Sequence, residues 1–204
     1  MQIGVDLSGS PGSVLGKEVQ ARGAAVQQGF RQLGGEGDAF RLAQKRLGPG
    51  RIHHVMRWLG QMQRAFELMC RYANEREAFG GPLADKQTVQ NWVADSAAEI
   101  QACRLLTMDA AQKIDQGSEA RVEVSLLKFY AARALCDVID RAIQVHGARG
   151  LTDETPLAAM SMMARGARIY DGPDEVHRMV VARRILRSFA DGERSVGMPP
   201  PLSA

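Results

Sequence analysis

The stretch I-Y-D-G-P-D-E-V-H-R, from Ile169 to Arg178, sets three carboxylates within five residues around a glycine–proline step. Pro173 suits the first position of a helix, which makes Gly172 the N-cap and places Asp174 and Glu175 in the first turn, where the helix dipole favours negative charge. Those two acids are thereby accounted for. Asp171 precedes the cap, so it falls on a loop, free to project into whatever the bundle covers, and loops at helix ends are where catalytic groups tend to sit. Three carboxylates would repel a phosphate, which argues against an anion cradle at this helix start.

Other chemistry-bearing groups have simple local readings. Arg71 and Arg76 close a helical stretch before F-G-G-P-L, where cations complement a helix C-terminus. The run Q-V-H-G-A-R-G, from Gln144 to Gly150, has small residues that would let a second backbone or a flat ligand approach. A lone His146 there reads as a capping or packing histidine. Adjacent His53 and His54 point about 100° apart on a helix, so they make no chelating pair. Met160, Met162 and Met163 read as core or pocket lining. With no CxxC and no His/Cys cluster, no metal site is expected.

Helices must position these groups. A short amphipathic piece, A-F-R-L-A-Q-K-R-L, is expected to stop at the breaker G-P-G over 48–50. Ile52, Val55, Leu59, Met62, Phe66 and Met69 recur at helical spacing over 51–76. After F-G-G-P-L a long helix is predicted over 84–116, with Val89, Val93, Ala97, Ile100, Cys103, Leu106 and Ala110 inward. Ser118 is the expected cap of a third long helix over 119–145. Shorter helices follow over 156–168 and 173–189. Three long helices joined by short turns pack antiparallel, giving an all-α, up-down bundle of four to five helices. The Gly-rich residues 1–37 are expected to be flexible or weakly structured, 38–190 to form the helical domain, and 191–204 a disordered tail.

Composition narrows the function classes. Over 204 residues, 45% are hydrophobic and 24% charged, as in a globular domain, and the formal net charge is only +3. No basic run interleaved with aromatics points to nucleic acid. Three scattered cysteines fit a reducing compartment. Neither a secretory signal nor a membrane span is visible, so an intracellular location is expected with the compartment left open.

Taken together, L-G-P-G-R-I-H-H, E-R-x-A-F-G-x-P-L-x-x-x-Q, A-I-Q-V-H-G-A-R-G-L and A-R-I-Y-D-G-P-D-E-V-H-R resemble the C-terminal domain of the acyl-CoA dehydrogenase family over roughly residues 34–190. The G-P-D-E-V-H wording is similar to the subgroup of family members ten and eleven. The resemblance implies an FAD-dependent oxidoreductase that desaturates the α,β bond of an acyl-CoA thioester, with β-oxidation of fatty acids as its setting. It makes Asp171 the base that takes the α proton and sets Tyr170 beside the thioester. It associates Arg51 with the CoA portion. It brings Arg76, Phe79 and Gln87 to the FAD of a neighbouring subunit, and Gln144 and Gly147 to the adenosine part. It further implies a homo-oligomer, dimer or tetramer, with an electron-transfer flavoprotein as a possible acceptor.

This sequence departs from the wider family in using Asp for Glu, one methylene shorter by roughly 1.5 Å. Pro173 stands where Thr is usual, and Ala148 where Gly is usual. Residues 1–33 do not resemble the β-barrel that precedes this bundle in the family. A truncated chain, inactive by itself, is therefore expected. The alternatives are a non-catalytic helical oligomerisation module and an oxidase that returns electrons to oxygen.

Overall fold

The computed structural model describes residues 35 and 37–192. Most of the weakly structured segment expected over 1–37, and all but two residues of the tail expected over 191–204, lie outside them. Among the described residues there are five α-helices and no strand: α1 (Ala39–Glu75), α2 (Gln87–Asp115), α3 (Arg121–His146), α4 (Leu157–Ala167) and α5 (Asp174–Ala190), with short 3-10 turns at Leu83–Asp85 and Gly147–Leu151. The expected all-α bundle is what the chain forms. Of the described residues, those up to Gln44 belong to one unit and those from Lys45 onward to another. Before Lys45, Asp38 Oδ2 accepts from the Gly35 amide and the Asp38 carbonyl from that of Leu42, which sets the entry to α1.

The second unit is organised around α3. Its buried positions form a wide face, from Val122 through Leu127, Ala131, Ala132, Leu135, Val138, Ile139 and Ala142 to Val145, and leave Tyr130, Arg133, Asp140 and Gln144 to solvent. A helix with so wide an apolar face is one against which several others pack. The alanines let α2, α4 and α5 approach it closely. From α1, Val55, Trp58, Met62, Ala65, Met69 and Ala73 join the same core. Tyr72 stacks on His146 at 4.3 Å between ring centroids, so the C-terminal ends of α1 and α3 lie at one end of the bundle. With α2 returning between them, the long helices run up, down, up.

Several local expectations are corrected. The G-P-G step does not end a helix, because α1 runs unbroken through Pro49. Proline removes one helical donor and crowds the carbonyl four residues back, at a cost of about 3 kcal/mol. Here Pro49 is exposed and Gly48 and Gly50 have open space beside them, so its ring displaces no packed neighbour. On α2, Ser96 is buried where Ala97 was expected, and Thr107 is buried beside Leu106, which packs against the core as expected. Their hydroxyls are satisfied, Ser96 accepting from Arg141 and Thr107 donating to the Cys103 carbonyl. Ser118 does not cap α3; Ala120 does, in a left-handed conformation, and its amide donates to Ser118 Oγ. On α4, Leu157, Ala164 and Ala167 turn inward, whereas Met162 and Met163 are 82% and 67% exposed rather than in a core.

Candidate active site at the Asp171 loop

The loop between α4 and α5 is built for a fixed position. Asp171 has φ +55° and Gly172 φ +105°. The first is a left-handed conformation that Asp tolerates better than most residues, and the second is glycine territory. A Cβ on Gly172 would sit 2.8 Å from His177 Nε2. Helix α5 begins one residue later than expected. Pro173, extended at ψ 159°, is the N-cap, and its carbonyl accepts from the Val176 and His177 amides.

Three cationic or imidazole donors hold the loop by its backbone. Arg51 Nε donates to the Asp171 carbonyl at 2.9 Å, and His177 Nε2 donates to the same oxygen at 3.2 Å. Lys128 Nζ donates to the carbonyls of Ala167 at 2.7 Å and Gly172 at 3.1 Å. Lys128 is 0% exposed. Its ammonium also lies 5.4 Å from the centroid of the Trp58 ring and 5.8 Å from that of Tyr170, so cation–π attraction supplements its hydrogen bonds. Burial pulls Lys128 down to about 8 despite the opposing carboxylates of Asp174 and Asp171. Burial likewise takes His177 down to about 4, so it is a neutral donor at pH 7.

The Asp171 carboxylate is free of these backbone ties. Its Oδ2 lies 2.9 Å from His54 Nε2, the side chain is 23% exposed, and among the described residues Oδ1 has no protein partner. The wall beside it is aromatic. His54, Trp58 and Tyr170 form a cluster with centroids 5.1–6.1 Å apart, and Trp58 Nε1 donates to the Tyr170 hydroxyl at 3.0 Å. The loop therefore presents one unpaired carboxylate oxygen beside rings and cations, an arrangement suited to taking a proton from a carbon acid next to an anionic ligand.

Asp174 does more than serve the helix dipole. It is 1% exposed and accepts from Arg168 Nε at 2.7 Å, with Arg178 at 3.9 Å, which ties the loop entry to α5. Its Oδ1 and His177 Nδ1 are buried without a protein partner.

The other expected site residues lie elsewhere. Arg51, Tyr170 and Asp171 meet at this loop, whereas Arg76, Phe79 and Gln87 surround the turn after α1. That turn closes through Leu83 N–H to the Arg76 carbonyl and Ala78 N–H to the Gly81 carbonyl. Phe79, at φ +51°, is 96% exposed. The Gln87 side-chain amide donates to its helical neighbour Asn91. Gln144 and Gly147 sit exposed at the C-terminal end of α3. Gly147, at φ +59°, has open space where a Cβ would be, whereas a Cβ on Gly150 would meet the Ile143 carbonyl at 2.8 Å. Of the two, only Gly147 leaves room for a ligand. His146 is the packing histidine expected, its Nδ1–H donating to the Ala142 carbonyl at 2.7 Å. Glu75 lies 24 residues beyond Arg51 on one helix, about 36 Å at 1.5 Å per residue. The two groups of residues cannot share one ligand site within a single chain. The second group nonetheless fits a flavin nucleotide chemically. It offers an exposed guanidinium for a pyrophosphate, two amides for hydrogen bonds, and an exposed phenyl ring and an open glycine for a planar ring system.

His54, Trp58, Lys128 and His177 are the site residues that sequence reasoning missed. Lys128 carried a readable signal, being the charge on the otherwise small or apolar face of Val124, Ala131, Ala132 and Leu135. His54 carried none, since its partner is distant in the chain. Among the described residues no group of three or more His, Cys, Asp or Glu could hold a metal ion, and no helix is long and apolar enough to cross a membrane.

The family model for the acyl-CoA dehydrogenase C-terminal domain matches residues 37–186. The probable acyl-CoA dehydrogenase FadE2 of Mycobacterium tuberculosis is 54% identical over 156 residues, covering 76% of this chain and 38% of that protein. Acyl-CoA dehydrogenase family member 11 of Rattus norvegicus is 46% identical over 158 residues, 76% of this chain and 20% of that protein, in keeping with the subgroup expected. The structure of butyryl-CoA dehydrogenase from Megasphaera elsdenii superposes with a TM-score of 0.72 at 33% identity, over 76% of this chain and 40% of that one. The chain thus spans two-fifths or less of these relatives.

Proposed function

The chain belongs to the acyl-CoA dehydrogenase family, whose C-terminal domain it carries, and we propose that it serves the FAD-dependent α,β-dehydrogenation of an acyl-CoA thioester with Asp171 as the base. The observation that carries this reading is the Asp171 loop. Its backbone is clamped by Arg51, His177 and Lys128, while one carboxylate oxygen stays unpaired beside an aromatic wall.

In this reading Asp171 Oδ1 takes the α proton. The clamp fixes where that oxygen stands, which matters because a misplacement of about 1 Å can cost 10²-fold in rate. Tyr170 lines the thioester, and Arg51, whose Nε is engaged by the loop, turns its remaining guanidinium donors toward the CoA portion. Arg76, Phe79, Gln87, Gln144 and Gly147 would hold the FAD that accepts the β hydride. Because that group lies about 36 Å along α1 from Arg51, it would serve the base of another copy, so the functional form is a homo-oligomer. An electron-transfer flavoprotein is the proposed acceptor, and β-oxidation of fatty acids the proposed setting. Butyryl-CoA dehydrogenase, named for its acyl-CoA substrate, and the acyl-CoA dehydrogenases of M. tuberculosis and rat support the substrate class. With Asp171 23% exposed, the chain by itself lacks the dry enclosure that hydride transfer needs, so complete turnover by the isolated chain is not expected, whereas exchange of the α proton, which needs only a placed base, is.

The experiment has two stages. The visible spectrum of the purified chain shows flavin bands if the nucleotide binds. Colourless protein that still self-associates supports a non-catalytic oligomerisation module instead. In flavin-loaded protein, Asp171→Asn is expected to abolish exchange of the α proton of an acyl-CoA in deuterated water while flavin stays bound. Undiminished exchange removes Asp171 from the mechanism.

A further inference from the structure

We infer that His54 is a positioning residue for Asp171, a neutral imidazole locked by Arg57 so that its Nε2–H occupies Oδ2 and leaves Oδ1 as the oxygen that takes the proton. The inference rests on the reading of Asp171 as the base and adds which of its atoms reacts, and why.

The tautomer follows from donor chemistry. Arg57 Nη2 approaches His54 Nδ1, and a guanidinium can only donate. Nδ1 is therefore the accepting nitrogen, so the ring proton is on Nε2, which lies 2.9 Å from Asp171 Oδ2. Helical spacing builds the chain of contacts. Arg57 is three residues beyond His54, and Trp58, four beyond, stacks on the imidazole at 6.0 Å, with the Tyr170 ring 5.1 Å from the imidazole and 6.1 Å from Trp58.

A second proton on His54 would face Arg57 across Nδ1. The other charged and titratable groups that face it are Lys128 on α3 and Asp171 and Tyr170 on the loop. Burial holds the imidazole below its ordinary range, with Arg57 and Lys128 acting in the same direction and Asp171 opposing them. A neutral donor orients the carboxylate without neutralising it, so its charge remains for the reaction. When Oδ1 receives the α proton, Oδ2 becomes the carbonyl oxygen of the acid and still accepts from His54. The bond thus survives the step without rotation of either side chain.

The test uses the full chain with ¹⁵N-labelled histidine. Long-range proton–nitrogen correlation is expected to give His54 a pyrrole-type Nε2 and a pyridine-type Nδ1 at pH 7, and Arg57→Met is expected to move its titration upward. An imidazolium at pH 7, the opposite tautomer, or a titration indifferent to Arg57→Met overturns the inference without reference to flavin. In flavin-loaded protein, His54→Leu is expected to slow α-proton exchange by about 10- to 100-fold at unchanged KM, the loss of one hydrogen bond to a charged group. His54→Gln, whose amide can still donate, is expected to recover most of the rate. Exchange at the normal rate in His54→Leu while Asp171→Asn is inert defeats the positioning role and leaves the base intact. Normal exchange in Asp171→Asn defeats both.

Discussion

Lys128 offers the sharpest test of how the Asp171 loop is held, because its titration and its contacts share one cause. Its ammonium is fully buried, donates to two loop carbonyls, and is drawn from its ordinary 10.5 down to about 8. In the unfolded chain the lysine stays protonated up to 10.5. Between 8 and 10.5, folding therefore releases a proton, and stability rises with pH by about 1.4 kcal/mol per unit from this group alone. Below 8 both states hold the proton and the folded state carries the whole burial penalty, about 3 kcal/mol.

Lys128→Met keeps the length of the side chain and removes the titrating group. It also leaves the Ala167 and Gly172 carbonyls without that donor, at roughly 1–3 kcal/mol for each one left unsatisfied. The decisive quantity is the difference between wild type and variant, obtained from urea unfolding followed by circular dichroism at a series of pH values. That difference is expected to stay flat from pH 6 to 8 and then to climb in favour of wild type by about 3 kcal/mol by pH 10.5, with other groups cancelling in the subtraction. A difference that stays flat through pH 8–10 would mean that Lys128 titrates as a surface lysine. The account of the loop as clamped by a desolvated cation would then be wrong.

Two further outcomes test the packing around the site. Gly150→Ala forces a Cβ to within 2.8 Å of the Ile143 carbonyl, so thermal unfolding should show a loss of about 2 kcal/mol, or 4–8 °C in Tm. Cys103 is fully buried with its thiol pushed up to about 12, whereas Cys70 and Cys136 are only half-buried. Alkylation at pH 8 followed by mass spectrometry should therefore modify Cys70 and Cys136 in native protein, and Cys103 only after denaturation.

Much of this fold is legible in the sequence because helices are periodic and their ends are local. Val55, Met62 and Met69 recur at helical spacing, F-G-G-P-L and D-Q-G-S close the long helices, and G-P-D-E opens the last one. The errors come where a tertiary neighbour overrides a local preference. G-P-G reads as a stop, yet its proline faces solvent and α1 continues. Ala97 reads as inward by its spacing, yet it is Ser96 that turns in, with Arg141 donating to its hydroxyl. Asp174 reads as a dipole partner, yet Arg168 draws it under the surface.

The sequence by itself determined the elements, their order and the family wording, and with them the singling out of Asp171 from its neighbours, since these depend on spacing along the chain. Only the tertiary structure decided what surrounds that carboxylate. His54 and Trp58 come from α1, Lys128 from α3 and His177 from α5. No rule of spacing links them to a loop that they reach only once the bundle has closed. It also decided that Arg76 and Gln144 stand far from Asp171, because 24 helical residues, about 36 Å, separate Arg51 at the loop from Glu75.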